Sequence, residues 1–176
     1  MNRVAAVNWL LDFFTSSGVF SEAAGLHGME GSEIISLFVG KFNELASDNK
    51  KEVAFCLKDA VLGNDKMLAR YLPLATVLLG TLCISGEMIW FLPFKAELES
   101  EFCNEQNVNI WLECSEVKNL PFKKTWLYAL QLNNALYVMG SECAKAVHQR
   151  LVSNARSGAF KRALMKTQEI GRFTFG

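Results

Sequence analysis

At 176 residues, with 51% hydrophobic and 20% charged side chains and three prolines, the chain has the size of one domain and a globular composition, which excludes an intrinsically disordered protein. Thirteen Phe and four Trp supply core volume, and Leu, Ala, Glu, Lys and Met dominate the long periodic segments, so the predicted fold class is all-α. The formal net charge of zero hides a strongly uneven distribution along the chain.

In chain order, residues 3 to 16 place Val4, Val7, Leu11 and Phe14 at three- and four-residue steps, widened by Trp9 and Leu10, which predicts an amphipathic helix ended by Ser17 and Gly18. Asp12 interrupts the apolar patch near the start and no small-residue cleavage site follows, so the chain reads as starting at residue 1 without a leader. The stretch from Val19 to Gly31 reads as a loop or short broken helix. Ser32 is the expected cap of a helix with Ile34, Ile35, Leu37, Phe38, Phe42 and Leu45 towards one side and Gly40 as an internal weakness. Asn49 and Glu52 have the capping-box spacing and open a helix to about Leu62, stopped by Gly63. Asn64 or Asp65 then caps the next.

The run Tyr71 to Phe94, YLPLATVLLGTLCISGEMIWFLPF, is the most apolar in the chain. It has membrane length, but Glu87 lies within it and Ser85, Gly86 and Pro93 weaken it. The unbroken part, Leu72 to Ile84, has the length of a buried core helix, which the amphipathic segments on both sides would cover. An acidic helix-like piece follows at Ala96 to Gln106. Val108, Ile110, Leu112 and Cys114 then alternate at period two, which leaves a short strand open, although a lone strand lacks a partner and an irregular or helical segment is favoured. Leu120, Pro121 and Phe122 mark a turn. A helix with Trp126, Leu127, Leu130, Ala135 and Leu136 inward ends at Gly140. Ser141 caps another, with Ala144, Val147, Leu151 and Ala155 on one side and Lys145, Gln149 and Arg156 on the other. A basic piece, AFKRALMK, and an irregular arm over 168–176 close the chain.

The five cysteines, Cys56, Cys83, Cys103, Cys114 and Cys143, are odd in number, lie mostly among apolar residues and form no CxxC pair, which points to small buried hydrophobes in a reducing, intracellular chain. His27 and His148 belong to no metal-spacing motif, and His148, beside Gln149 and Arg150, reads as solvated on a polar face. Glu87 reads as an acid facing water at a helix start. If buried, it requires a partner such as Trp, Tyr or a cation. Phosphate-loop, dinucleotide and nucleophile-elbow signatures are absent from the sequence, so no enzyme, catalytic residue, cofactor or metal is predicted.

Charge carries the clearest functional signal. Residues 1 to 116 hold 8 Lys and Arg against 16 Asp and Glu, a net −8, while residues 117 to 176 hold 10 against 2, a net +8. The expectation is a single helical domain over 1–176, a bundle of about six to eight helices around a buried central helix. Its expected function is that of a non-enzymatic protein-interaction module, an adaptor, inhibitor or assembly subunit, which binds another protein or its own copies through a helical surface or groove. The basic C-terminal residues Lys145, Arg150, Arg156, Lys161, Arg162, Lys166 and Arg172 are the candidate partner-binding set. Two alternatives stand beside it: a nucleic-acid-binding or nucleoprotein-like module using the same basic region, and a membrane-associated protein held through residues 71–94.

Overall fold

The structure, a computed structural model, describes residues 1–16, 29–114 and 126–154, and every regular element among them is helical. Eight α-helices are present among these residues: α1 (Arg3–Ser16), α2 (Met29–Asn43), α3 (Ser47–Leu62), α4 (Leu72–Leu82), α5 (Lys95–Phe102), α6 (Glu105–Cys114), α7 (Trp126–Val138) and α8 (Glu142–Asn154). The expected all-α class is what the chain adopts. The chain divides into two compact units, Met1–Phe91 and Leu92–Gly176.

In the first unit the apolar character of α4 dictates the packing. Nine of its eleven residues are buried, from Pro73 through Gly80 and again at Leu82, so no face is left for water and α2 and α3 pack against it. Pro73 sits in the first turn, where the missing N–H is not needed. The three hydroxyls in this region do not need solvent, because Thr76, Thr81 and Ser85 each donate to the carbonyl four residues back at 2.8 Å. The helix ends where the sequence suggests: a π turn over Cys83–Glu87 contains Gly86 at φ 97°, a conformation that a side chain would strain, and a 3-10 turn at Met88–Trp90 follows. The run Ala69–Trp90 has the length and hydropathy to cross a membrane, and its central helix is covered by other helices of the same unit.

Aromatic side chains fill the space between the surrounding helices. Phe13 meets Phe38 edge-on at 4.9 Å between ring centroids, Trp9 meets Phe38 at 5.7 Å, and Phe14 lies 5.1 Å from Tyr71. The buried face of α1 is therefore Ala6, Val7, Leu10, Phe13 and Phe14, whereas Val4 is 68% exposed and Leu11 only half-buried. This corrects the expected stripe, because the two large rings at 13 and 14 set the rotation of the helix rather than the first valine. In the same way α2 buries Phe38 and Phe42 and leaves Leu37 in solvent.

Helix starts differ from expectation for a physical reason. Helix α2 begins at Met29, so Ser32 lies inside it, and α3 begins at Ser47 after Ala46, so Asn49 is an interior residue rather than a cap. A capping box needs an extended residue at the cap, and here the extended backbone falls at Ala46, at φ −65° and ψ 156°. Asp65 does not cap the central helix, which starts only at Leu72 after Tyr71: its Oδ1 accepts from the backbone N–H of Met67 at 2.8 Å and of Leu68 at 3.0 Å and so fixes a turn ahead of that helix.

In the second unit α5 packs against α7 and α8, and α6 against α7 and α8. Residues 105–114 are helical, which resolves the strand alternative. Asn104 Oδ1 accepts from the N–H groups of Gln106 and Asn107 at 2.9 and 3.3 Å, and this cap starts a helix that the alternating apolar residues then continue. Ala135 and Leu136 are buried as expected, and Gly140, at φ 78°, ends α7 with the Ser141 N–H bonded to the Leu136 carbonyl at 3.0 Å. The turn expected at Leu120 to Phe122, the basic piece after Gly158 and the arm 168–176 lie outside the described residues.

Gly40 offers a direct check on α2. It is exposed inside the helix, has no positive φ, and a Cβ built there would meet nothing within 4 Å. Gly40→Ala is expected to raise unfolding stability by about 0.5–1 kcal/mol in urea titration, and a loss of stability would mean that the segment is not helical there.

Candidate functional site

Two features in the described residues have the makings of a site: an apolar groove beside the start of α1, and a polar pair enclosed between α7 and α8. The groove follows from a helix cap and a turn. Asn2 Oδ1 accepts from the Ala5 N–H at 2.8 Å and fixes the first turn of α1, on which Val4 faces outward. Asp65 fixes the turn before α4, so that Leu68 is fully buried while Met67, one residue earlier, is 59% exposed. Between these elements lies a groove of about 260 Å³ lined by Arg3, Val4, Val7, Asn8, Asp65 and Met67. Ligand pockets for whole small molecules usually start near ~300 Å³, so this space suits one or two side chains better than a cofactor.

The edge of the groove is held by charge. Arg3 Nε donates to Glu52 Oε2 at 2.9 Å, and its guanidinium carbon lies 3.4 Å from the centroid of the Phe55 ring. Lys58, only 3% exposed, pairs with Asp59 Oδ1 at 2.7 Å and approaches the same ring at 4.1 Å. Arg3 is half exposed, so its ion pair contributes at most about 1 kcal/mol, and its main effect is to orient the first turn of α1 over α3. Cys56, which directs its thiol at the Arg3 carbonyl, has its pKa pushed up to about 11 by burial, with the Arg3 charge opposing. Burial also pushes the Cys83 thiol up, so both stay protonated at neutral pH and are poor nucleophiles.

The polar pair corrects the reading of His148. It is 1% exposed, not solvated: its Nδ1 stands 3.1 Å from Nδ2 of the fully buried Asn133, and its ring is tilted 5.5 Å from Tyr137. An amide NH₂ group only donates, so Nδ1 of the imidazole accepts. The neighbouring Gln149 and Arg150 are exposed, as the sequence suggests, but one residue along a helix is a rotation of about 100°, enough to place His148 on the buried face.

Of the candidate basic residues, Lys145 is half-buried with Nζ 3.3 Å from Glu142 Oε1, and exposed Arg150 donates to Asn109 Oδ1 at 2.8 Å, tying α8 to α6. Arg156, Lys161, Arg162, Lys166 and Arg172 lie outside the described residues, as does His27. Glu87 is half-buried and accepts from Trp90 Nε1 at 2.7 Å, the kind of partner that a carboxylate in an apolar run needs. Among the described residues, no group of three His, Cys, Asp or Glu side chains is placed to hold a metal ion. Sequence reasoning missed the groove because it assigned Val4 inward. Asp65 was the available signal, since a turn held by its side chain fixes which of residues 66 to 68 is buried.

No protein-family model, curated protein or solved structure matches the chain.

The Asn133 and His148 pairing has a measurable consequence. Asn133→Leu and His148→Phe are each expected to destabilise the fold by about 1–3 kcal/mol, because each removes a buried hydrogen bond from the other residue. The double variant should lose clearly less than the sum in denaturant titration, and additivity within about 0.5 kcal/mol would contradict the pairing.

Proposed function

We propose that the chain is a non-enzymatic interaction module that receives apolar side chains of a partner protein in the groove beside the start of α1. The observation that carries this reading is the pairing of Val4 and Met67, 68% and 59% exposed, over the buried Val7. Two large apolar side chains standing together in water lose free energy when a partner covers them, and methionine adapts its shape to what arrives. Polar groups on the rim, Arg3, Asn8 and Asp65, provide both signs of charge around this apolar floor. That arrangement, with an apolar centre and a polar border, is how interaction patches distribute affinity and orientation.

The reading is tested by selecting binders for the whole folded chain from a displayed library of apolar and amphipathic peptides and measuring their affinity by calorimetry. Val4→Asp and Met67→Asp should each weaken the selected peptides roughly 30-fold, while Leu37→Asp, an exposed apolar position on α2 outside the groove lining, should leave affinity unchanged. Peptides that bind equally well to both groove variants would overturn it.

A further inference from the structure

The last turn of α5 and the first turn of α8 are joined twice. Ser141, fully buried, donates from Oγ to Glu99 Oε2 at 2.8 Å, and the same oxygen accepts the Ala144 N–H at 3.1 Å, so one hydroxyl both caps α8 and ties it to α5. Just past the end of α5, Cys103 is disulfide-bonded to Cys143, with their Cα atoms 6.3 Å apart, inside the usual range for such a bridge. The two cysteines are separated by 40 residues in sequence, without a CxxC or any short spacing that announces the bond. Both are only half-buried, whereas the free cysteines Cys56 and Cys83 are buried and held as thiols.

We propose that Cys103 and Cys143 form a reversible redox clamp on the start of α8, opened by a dithiol reductant. A thiolate of the reductant attacks one sulfur of the bridge and breaks the S–S bond, forming a mixed disulfide. The reductant's second thiol then displaces that sulfur. Two electrons and two protons pass to the protein, leaving Cys103 and Cys143 as thiols and the reductant as a disulfide. Of the two links, only the Glu99 and Ser141 hydrogen bond then holds the first turn of α8 to α5. The helix affected is the one that carries His148 and Arg150, so opening the clamp loosens their ties to Asn133 and Asn109. The proposal is independent of the groove beside α1.

The test uses the full chain equilibrated with oxidised glutathione or with dithiothreitol. Each sample is acid-quenched, alkylated and read by peptide mass, with thermal unfolding and hydrogen exchange followed in parallel. The oxidised sample should yield a linked Cys103 and Cys143 peptide. Reduction should release it, lower the unfolding midpoint by roughly 5–10 °C and speed exchange at the start of α8. The Cys103→Ser, Cys143→Ser double variant should behave as the reduced protein and ignore dithiothreitol. If that variant does not fold, the comparison of oxidised and reduced wild-type protein stands alone. Free alkylation of both cysteines after oxidation would overturn the proposal, as would a linked peptide with the same midpoint and exchange in the two states.

Discussion

A helix that is apolar on every side has to be covered, and α4 sets that requirement for everything packed around it. Four of its leucines, Leu74, Leu78, Leu79 and Leu82, are fully buried, and each such side chain contributes about 1.5–3 kcal/mol when removed from water. The polar atoms in the segment would reverse part of that gain if they lacked partners. Thr76, Thr81 and Ser85 avoid this by bonding back to their own helix, so the apolar surface is buried without an accompanying polar penalty. The neighbouring helices then follow: α3 turns Val53, Leu57, Ala60 and Val61 inward, and α2 inserts Phe38 and Phe42.

The second unit is held together differently. Among its described residues, specific links join one helix to another: Glu99 with Ser141, Arg150 with Asn109, Asn133 with His148, and the Cys103 to Cys143 bond. Directional links of this kind fix which helix faces which, and each depends on a small number of atoms. A fold of that type is more sensitive to a single chemical change than one held by the broad burial of α4.

Much of the fold was legible in the sequence because apolar periodicity and glycine stops are local signals. Gly86 and Gly140 ended their helices where expected, and Ser141 capped α8. Rotation about a helix axis was less legible: Val4 and Phe14 share a stripe in the sequence, yet the bulk of Phe13 and Phe14 turned Val4 to solvent and created one wall of the groove. Burial of His148 was hidden for a similar reason, since its polar neighbours in sequence, Gln149 and Arg150, lie on another face of the helix. The cap residues Ser32 and Asn49 misled because a side chain suited to capping does so only where the backbone before the helix is extended. The disulfide was beyond reach, since two cysteines that meet only through the packing of α5 on α8 leave no pattern in the chain.

The central claim is that α4 is the covered core helix of the first unit, and hydrogen exchange in aqueous buffer without detergent tests it most directly. The account predicts that the amides of Val77 to Leu82 exchange with the slowest class in the protein, through global unfolding alone, and that this protection falls together with the folded signal as urea is added. Rapid exchange at these amides in a chain whose other helices remain protected, or protection that appears only on adding detergent or lipid, would contradict it.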